Sequence, residues 1–312
     1  MENLSKAEYS TNSVTKVTYS VTAKNAKFSD SDAITLERTI CSDEVIVEQP
    51  LQVTLSWFEN GLAKTKIFSI TMRTPGQDQL LILGLLHSEG IFNQLSDIES
   101  IEVEQNSSEE NYWQNEWLVQ FVDGFIPNLA SLERFQVTYS SCGLCGATSL
   151  KALQLKTQIN LTCEQHNKAV SVKTLLSIAK KMRSQQGMFT VTGGVHGAAL
   201  FDQQVNLLHI HEDIGRHNAV DKVIGAVISE RGANELMLDN AIPLHMLLVS
   251  GRISFEIVQK SIMAGFSILI GVGAPSALAI QAAKRFDLTL IGFINDNGFN
   301  VYHGDWRLSN LS

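Results

Sequence analysis

The chain has 312 residues, 44% of them hydrophobic and 18% charged, and its 24 Lys and Arg against 32 Asp and Glu leave a formal charge of -8. That balance excludes a general nucleic-acid binder, which needs a basic excess to displace counterions from the phosphate backbone. Four cysteines are too few for a disulfide scaffold, and a chain of this length buries a core without staples, in about two domains.

Residues 1–32 are rich in Ser, Thr, Asn and Lys and read as a mobile tail. The opening Met1-Glu2-Asn3-Leu4-Ser5-Lys6 has no apolar stretch after its charges, which predicts no secretory leader, a cytoplasmic location and reduced thiols. Residues 33–137 read as a smaller α+β domain. Strand-like pieces run from Ile34 to Phe58, Asn60-Gly61 is a hairpin turn signal, and Ala63 to Met72 is the returning strand. After the break at Thr74-Pro75-Gly76, the leucine spacing from Asp78 to Ser88 predicts a buried helix ended by Gly90. The stretch Asp97 to Arg134 is acidic, with Trp113 and Trp117 inside it. It reads as a hairpin with a solvated acidic face, or as a docking face for a basic partner.

Residues 138–165 read as a mobile loop around Cys142-Gly143-Leu144-Cys145 followed by a helix from Ala147 to Leu155. Residues 166–312 read as an α/β domain, because apolar strands now end in glycine turns and lead into helices. The expected strands are Phe189 to Thr192, Met246 to Val249, Ile268 to Ile270 and Leu288 to Gly292. The expected helices are Thr174 to Gln185, Asn218 to Ser229, Ser254 to Ala264 and Ser276 to Arg285. The uncharged stretch Ser261 to Ala283 has the length of a membrane span, but Gly265, Gly271, Gly273 and Pro275 interrupt it. A buried strand, a turn and a helix account for it, so no membrane association is expected.

Three features point to chemistry. The first is the pair Cys142 and Cys145 in Ser140-Ser141-Cys142-Gly143-Leu144-Cys145-Gly146. Small neighbours suit a reactive loop, and a following helix N-terminus stabilises a thiolate, the nucleophile of sulfur chemistry. The alternatives are a structural zinc site formed with Cys163 and His166, and a thioredoxin-like redox pair. The second is the set of glycine turns at strand ends, such as Gly193-Gly194-Val195-His196, where backbone can approach a phosphate or a base closely. Neither GxGxxG nor GxxxxGK[ST] is present, so no dinucleotide or P-loop site is supported. The third is polar density from His209 to Asp221, with Arg216 and His217 at a helix start, joined by Arg252 in Ser250-Gly251-Arg252. Such groups position a ligand, or they form a capping network with Asp213 as cap. His209-Ile210-His211-Glu212 shares part of a zinc deaminase signature, but the cysteine pair comes before the histidines instead of after them.

Taken together, these residues resemble a known family, the formate dehydrogenase accessory sulfurtransferases (the FdhD family). The similar segments are Met72-Arg73-Thr74-Pro75-Gly76, Ser88-Glu89-Gly90-Ile91, Ser141 to Gly146, Thr192-Gly193-Gly194-Val195-His196, Glu212 to Lys222, Ser250-Gly251-Arg252 and Gly273-Ala274-Pro275-Ser276, in order from about residue 40 to the C-terminus. The resemblance implies a cytidine-deaminase-like C-terminal α/β domain, with a mixed sheet and flanking helices, that lacks deaminase chemistry. It implies a sulfurtransferase that takes sulfur from a cysteine desulfurase onto Cys142, while Cys145 either releases that sulfur by attacking Cys142 or only tunes its reactivity. The sulfur then passes to the guanine-dinucleotide form of the molybdenum cofactor, for formate dehydrogenase.

The same resemblance gives a cofactor-binding segment at Phe293, Ile294, Asn295, Asp296, Asn297 and Gly298. Gly193, Gly194, His196, Arg216, His217 and Arg252 complete the site, a GDP-like nucleotide is able to occupy it, and no resident metal is expected. A homodimer is the default assembly. Two departures stand out. Asn295 and Asp296 lie where family members often carry arginine, and the acidic stretch is longer than the family's. The rival functions are a structural zinc-binding module of Cys142, Cys145, Cys163 and His166, and a scaffold for formate dehydrogenase assembly.

Overall fold

The structure, a computed structural model, describes residues 11–23, 34–104, 115–129, 153, 161, 169–231 and 244–309. Cys142, Cys145, Cys163, His166, most of the helix expected from Ala147 to Leu155 and much of the acidic stretch lie outside these residues.

The C-terminal half is a three-layer α/β/α arrangement. Its six strands are β8 (His196–Phe201), β9 (Leu207–Asp213), β10 (Met246–Val249), β11 (Ile268–Gly271), β12 (Thr289–Asn295) and β13 (Gly298–His303), in the order β13-β12-β11-β10-β8-β9. β10, β11 and β12 run parallel, while β8, β9 and β13 are antiparallel to their neighbours, so the sheet is mixed as expected. Every residue of β10 and β11 is buried, which is why these strands read as unbroken apolar runs. Leu247, Val249 and Leu269 face a core shared with three helices, Arg216–Arg231, Phe255–Met263 and Ala277–Arg285. Met246, Leu248, Ile268 and Ile270 face the other way, onto Leu175, Ile178 and Met182.

The N-terminal part is a four-stranded sheet with one helix. β3 (Gln49–Glu59), β4 (Leu62–Arg73), β5 (Ile98–Val103) and β6 (Glu116–Phe121) lie in the order β4-β3-β6-β5. Leu51, Val53, Leu55 and Trp57 alternate inward. They pack in the same core as α1 (Asp78–Glu89), the helix Arg216–Arg231 and the large sheet, so one apolar core runs through both parts. The two helices touch backbone to backbone. A Cβ on Gly84 would collide with the Asp221 carbonyl, and one on Gly225 with the Leu80 carbonyl.

The expected hairpin turn, α1 with its stop at Gly90, and the helices after Arg216 are all present. Two expectations are corrected. Thr11–Ala23, expected in the mobile tail, is strand β1, paired over its whole length with β2 (Ile34–Ile46). Its Thr, Val and Tyr residues favour an extended chain, and composition alone does not register that preference. Phe189 to Thr192, expected as a strand, ends the helix Gly187–Thr192. The cause is tertiary. The Glu212 carboxylate accepts the N–H groups of Met188 and Phe189, both at 2.9 Å, and this capping overrides the local preference of Thr and Val. The helix expected from Thr174 to Gln185 is broken into Val172–Leu175 and Ile178–Gln185. No helix among the described residues is long and apolar enough to cross a membrane.

Candidate functional site

The chain turns that follow β10, β11 and β12 meet the start of β8 and the end of β9 at one edge of the sheet. This is where open α/β sheets bind ligands. Here lies a cleft of about 990 Å³, bounded by Lys180, Met182 and Arg183 of the helix Ile178–Gln185, by Phe189, Gly193, Gly194 and His196, and by Ser250, Val272, Ile294, Asn295 and Asp296. The volume is at the upper end for small-molecule sites.

Backbone geometry brings the turns together. Gly193 closes the helix Gly187–Thr192 in the left-handed conformation, φ 65°, and its N–H donates to the Phe189 carbonyl at 2.8 Å. The turns after β10 and β11 touch: the Gly273 N–H donates to the Gly251 carbonyl at 3.2 Å. A Cβ on Gly273 would stand 2.9 Å from that carbonyl oxygen and 3.0 Å from the Arg252 backbone.

The charged walls differ. Arg183 stacks its guanidinium over the Phe189 ring, 3.7 Å from the centroid, which fixes a cation on the helical wall beside Lys180. Asp296 is exposed on the opposite wall. Asn295 is engaged in its own turn, donating to the Phe293 carbonyl at 3.0 Å and accepting from the Asn297 N–H at 2.8 Å. In the lining, His196 Nδ1 is 3.4 Å from Ser250 Oγ, which itself accepts the Gly197 N–H at 2.9 Å. Burial, together with Arg216 and His217 nearby, holds the His196 imidazole below its ordinary value, against a smaller upward pull from Asp213. The Arg216 side chain lies near Gly251 and His196, and its Nε is buried without a hydrogen-bond partner among the described residues. His217 Nε2 meets Glu256 at 2.9 Å and Ser254 Oγ at 3.2 Å, and that hydrogen bond lowers the Glu256 carboxyl.

Of the expected ligand-binding residues, Gly193, Gly194, His196, Ile294, Asn295 and Asp296 line the cleft. Arg216 and His217 stand behind it. Arg252 is exposed on its turn, and Phe293, Asn297 and Gly298 flank the lining without joining it. For the polar run from Glu212 to Lys222 the structure shows a network centred on Asp213, the second of the two readings its density allowed. Asp213 is fully buried, accepts from the N–H of Thr74 and of Gly215 and from Asn218 Nδ2, and pairs with Lys222 at 2.8 Å. Asn218 also donates to the Met72 carbonyl at 2.7 Å, and Lys222 to the Thr74 carbonyl at 3.1 Å. Asp221 pairs with Lys260 at 2.7 Å and accepts from Ser88. These residues bolt Met72 to Thr74 and α1 onto the large sheet.

The histidines are accounted for as well. His209 meets Glu230 at 3.3 Å, and His211 meets Gln77 at 2.8 Å. Burial, with the Lys222 and His209 charges, lowers His211 to about 4. No group of three metal-ligating side chains converges among the described residues. Two cations of the cleft wall, Lys180 and Arg183, are not singled out by the sequence reading. The signal was present in the i, i+3 spacing of two cations on one helix face.

Residues 46–309 match the FdhD/NarQ family. A sulfur carrier protein FdhD from Sulfolobus acidocaldarius is 40% identical over 265 residues, which cover 85% of this chain and 91% of the relative. One of the same name from Streptomyces avermitilis is 37% identical over 268 residues, 86% of this chain and 89% of the relative. A crystal structure from Desulfotalea psychrophila, of a protein described as a formate dehydrogenase accessory protein, superposes with a TM-score of 0.62 at 20% identity. It covers 95% of this chain and 99% of that one, which supports the fold.

Proposed function

The chain belongs to the FdhD/NarQ family, and from that membership we propose that it is a sulfur carrier of formate dehydrogenase maturation, with Cys142 as the carrying thiol. The Cys142 thiolate attacks the outer sulfur of a cysteine desulfurase persulfide. A new S–S bond forms on Cys142, the donor's S–S bond breaks, and the donor cysteine leaves as thiolate. Cys145 then attacks the inner sulfur of the Cys142 persulfide. This forms the Cys142–Cys145 disulfide and releases the outer sulfur as hydrosulfide to the molybdenum substrate. A thiol reductant restores the pair.

The observation that supports this reading is the cleft. A guanine-dinucleotide substrate needs cations for its phosphates and a close backbone for its base. Lys180 and Arg183 supply the first and the turn at Gly193 and Gly194 supplies the second. Asp296 repels phosphate, so the phosphates run along the helical wall and the base lies toward Asn295 and Asp296. Arg216, behind His196 and Gly251, adds positive charge to that end of the cleft.

Intact-mass measurement after incubation with a desulfurase and cysteine tests the assignment. One added sulfur maps to Cys142, and Cys142→Ala abolishes both the adduct and formate dehydrogenase activity in cells while GDP binding persists. Full activity of that variant would refute the carrier role. Zinc bound at one atom per chain and lost on replacing His166 would favour the structural module instead.

A further inference from the structure

We propose that Asp296 selects the base of the ligand: its carboxylate accepts the two donors on the pairing edge of guanine, the N1–H and the N2 amine, and turns away adenine and cytosine. This rests on the nucleotide reading of the cleft and adds which residue reads the base. Asp296 is the one carboxylate among the described residues that line the cleft. It is exposed, and it makes no hydrogen bond or ion pair among the described residues. Glu212, by contrast, is buried and has both oxygens taken by the N–H groups of Met188 and Phe189. The free acceptor capacity on the lining therefore lies at Asp296.

Local structure holds that carboxylate in place. Asp296 and Asn297 form the tight turn between β12 and β13, closed by the pairing of Asn295 with Gly298. Asn295 spends both ends of its amide inside the turn, Nδ2 on the Phe293 carbonyl and Oδ1 on the Asn297 N–H. The amide pins the turn and leaves the contact with a base to Asp296. The Phe293 N–H donates to the Gly273 carbonyl at 3.3 Å, which sets the end of β12 against the turn that carries Val272. Val272 lines the cleft with 41% of its surface exposed, an apolar patch for the face of a ring.

The chemistry of the group decides what it recognises. An ionised carboxylate only accepts. Guanine places two donors side by side on its pairing edge, and a carboxylate takes both at once, as it takes the parallel N–H groups of a guanidinium. Adenine has a lone pair at N1 and cytosine one at N3, so each sets an acceptor against an acceptor. Hypoxanthine keeps the N1–H and lacks the amine, and makes one bond of the two. Two other roles are open to the same group. It accepts from the hydroxyls of a ribose, or it does no more than repel phosphate. The three roles differ in the sign and the pattern of what its removal does.

Calorimetric titration of the full chain with nucleoside diphosphates separates them. GDP binds about tenfold or more tighter than ADP or CDP, and inosine diphosphate falls between. Asp296→Asn weakens GDP about tenfold. It also lifts xanthosine diphosphate above GDP, because the new amide accepts from the xanthine N1–H and donates to its O2. The melting temperature stays at the wild-type value, since the Asp296 side chain has no partner among the described residues. Tighter GDP binding by Asp296→Asn would assign the carboxylate to phosphate repulsion. A loss with 2′-deoxy-GDP in the wild type equal to that of Asp296→Asn with GDP would assign it to the ribose. Either result overturns the proposal. GDP, ADP and CDP bound alike overturns it too and leaves the nucleotide reading standing, whereas a chain that binds none of them overturns both.

Discussion

Two polar clusters in the C-terminal half contrast in one respect. In the first, Asp213, Asn218, Asp221, Lys222 and Lys260 are buried and satisfied by one another and by backbone groups. In the second, Lys180, Arg183 and Arg216 stand in or beside the cleft. Arg183 rests on a ring, and Arg216 keeps an unpartnered buried Nε. Satisfied groups hold the fold, and groups with spare hydrogen-bonding capacity are available to a ligand. Density of charge in the sequence does not separate the two kinds, but partner geometry does.

The sharpest way to break this contrast is to remove a partner from the first cluster. Lys260→Met leaves the Asp221 carboxylate buried with Ser88 as its remaining side-chain partner. The expected loss is about 3–5 kcal/mol of unfolding free energy, read as a lower urea midpoint at unchanged slope. GDP affinity of the folded fraction stays as it was. A variant that kept its stability and lost nucleotide would reverse the roles of the two clusters.

Protonation attacks the same cluster from its edge. His211 is lowered to about 4 by burial and by the Lys222 and His209 charges. A depressed value means that the unfolded chain binds the proton more readily. The stability is therefore complete above about 6.5 and is lost as pH falls toward about 4. The buried His87 adds to the slope in the same direction. The loss assigned to His211 is about 1–3 kcal/mol, and His211→Gln flattens the slope of unfolding free energy against pH over that window. An unchanged slope would show that the ring titrates as if exposed.

The second cluster answers to affinity instead of stability. Arg183→Ala removes the cation stacked on Phe189. A charge-assisted hydrogen bond is worth about 1.5–3 kcal/mol, so GDP binding weakens by about tenfold or more. Calorimetric titration reads this, together with a shallower salt dependence, while the melting temperature stays close to wild type. Equal losses of affinity and of stability would place Arg183 with the structural set.

How much of this was legible in the sequence follows from the same contrast. Burial on both faces writes itself as unbroken apolar runs, so β10 and β11 and the helices after them were readable. The glycine turns at Gly193 and Gly273 were readable too, because glycine is favoured at a left-handed cap and is the residue that fits a backbone contact as close as that at Gly273. The Glu212 to Lys222 run was visible as dense polarity with a capping network among its readings, but not its remote partners, since Met72, Thr74 and Ser88 lie more than a hundred residues away. Strand β1 was lost to composition, because Thr and Ser look like tail residues until their register on β2 is known.

Glu212 lies on the border between the clusters, and there the expected effect is smallest. Its carboxylate caps the helix Gly187–Thr192 that bears Phe189 and ends at the cleft. Glu212→Gln keeps one acceptor and turns an amide toward the other N–H, which costs at most about 1 kcal/mol by analogy with other lost caps. The pH dependence carries the argument. Burial raises the Glu212 carboxyl above its ordinary value, and the two backbone hydrogen bonds and Arg183 only partly reverse that. A raised value means that the folded state favours the proton. The contribution of Glu212 is then fullest below its ordinary value, and it declines as pH rises through the folded one. The deficit of Glu212→Gln should therefore be largest in mild acid and shrink toward neutrality. A deficit that grew with pH would mean that the helix N–H groups and Arg183 outweigh burial, and would move Glu212 from the structural cluster to the electrostatics of the cleft.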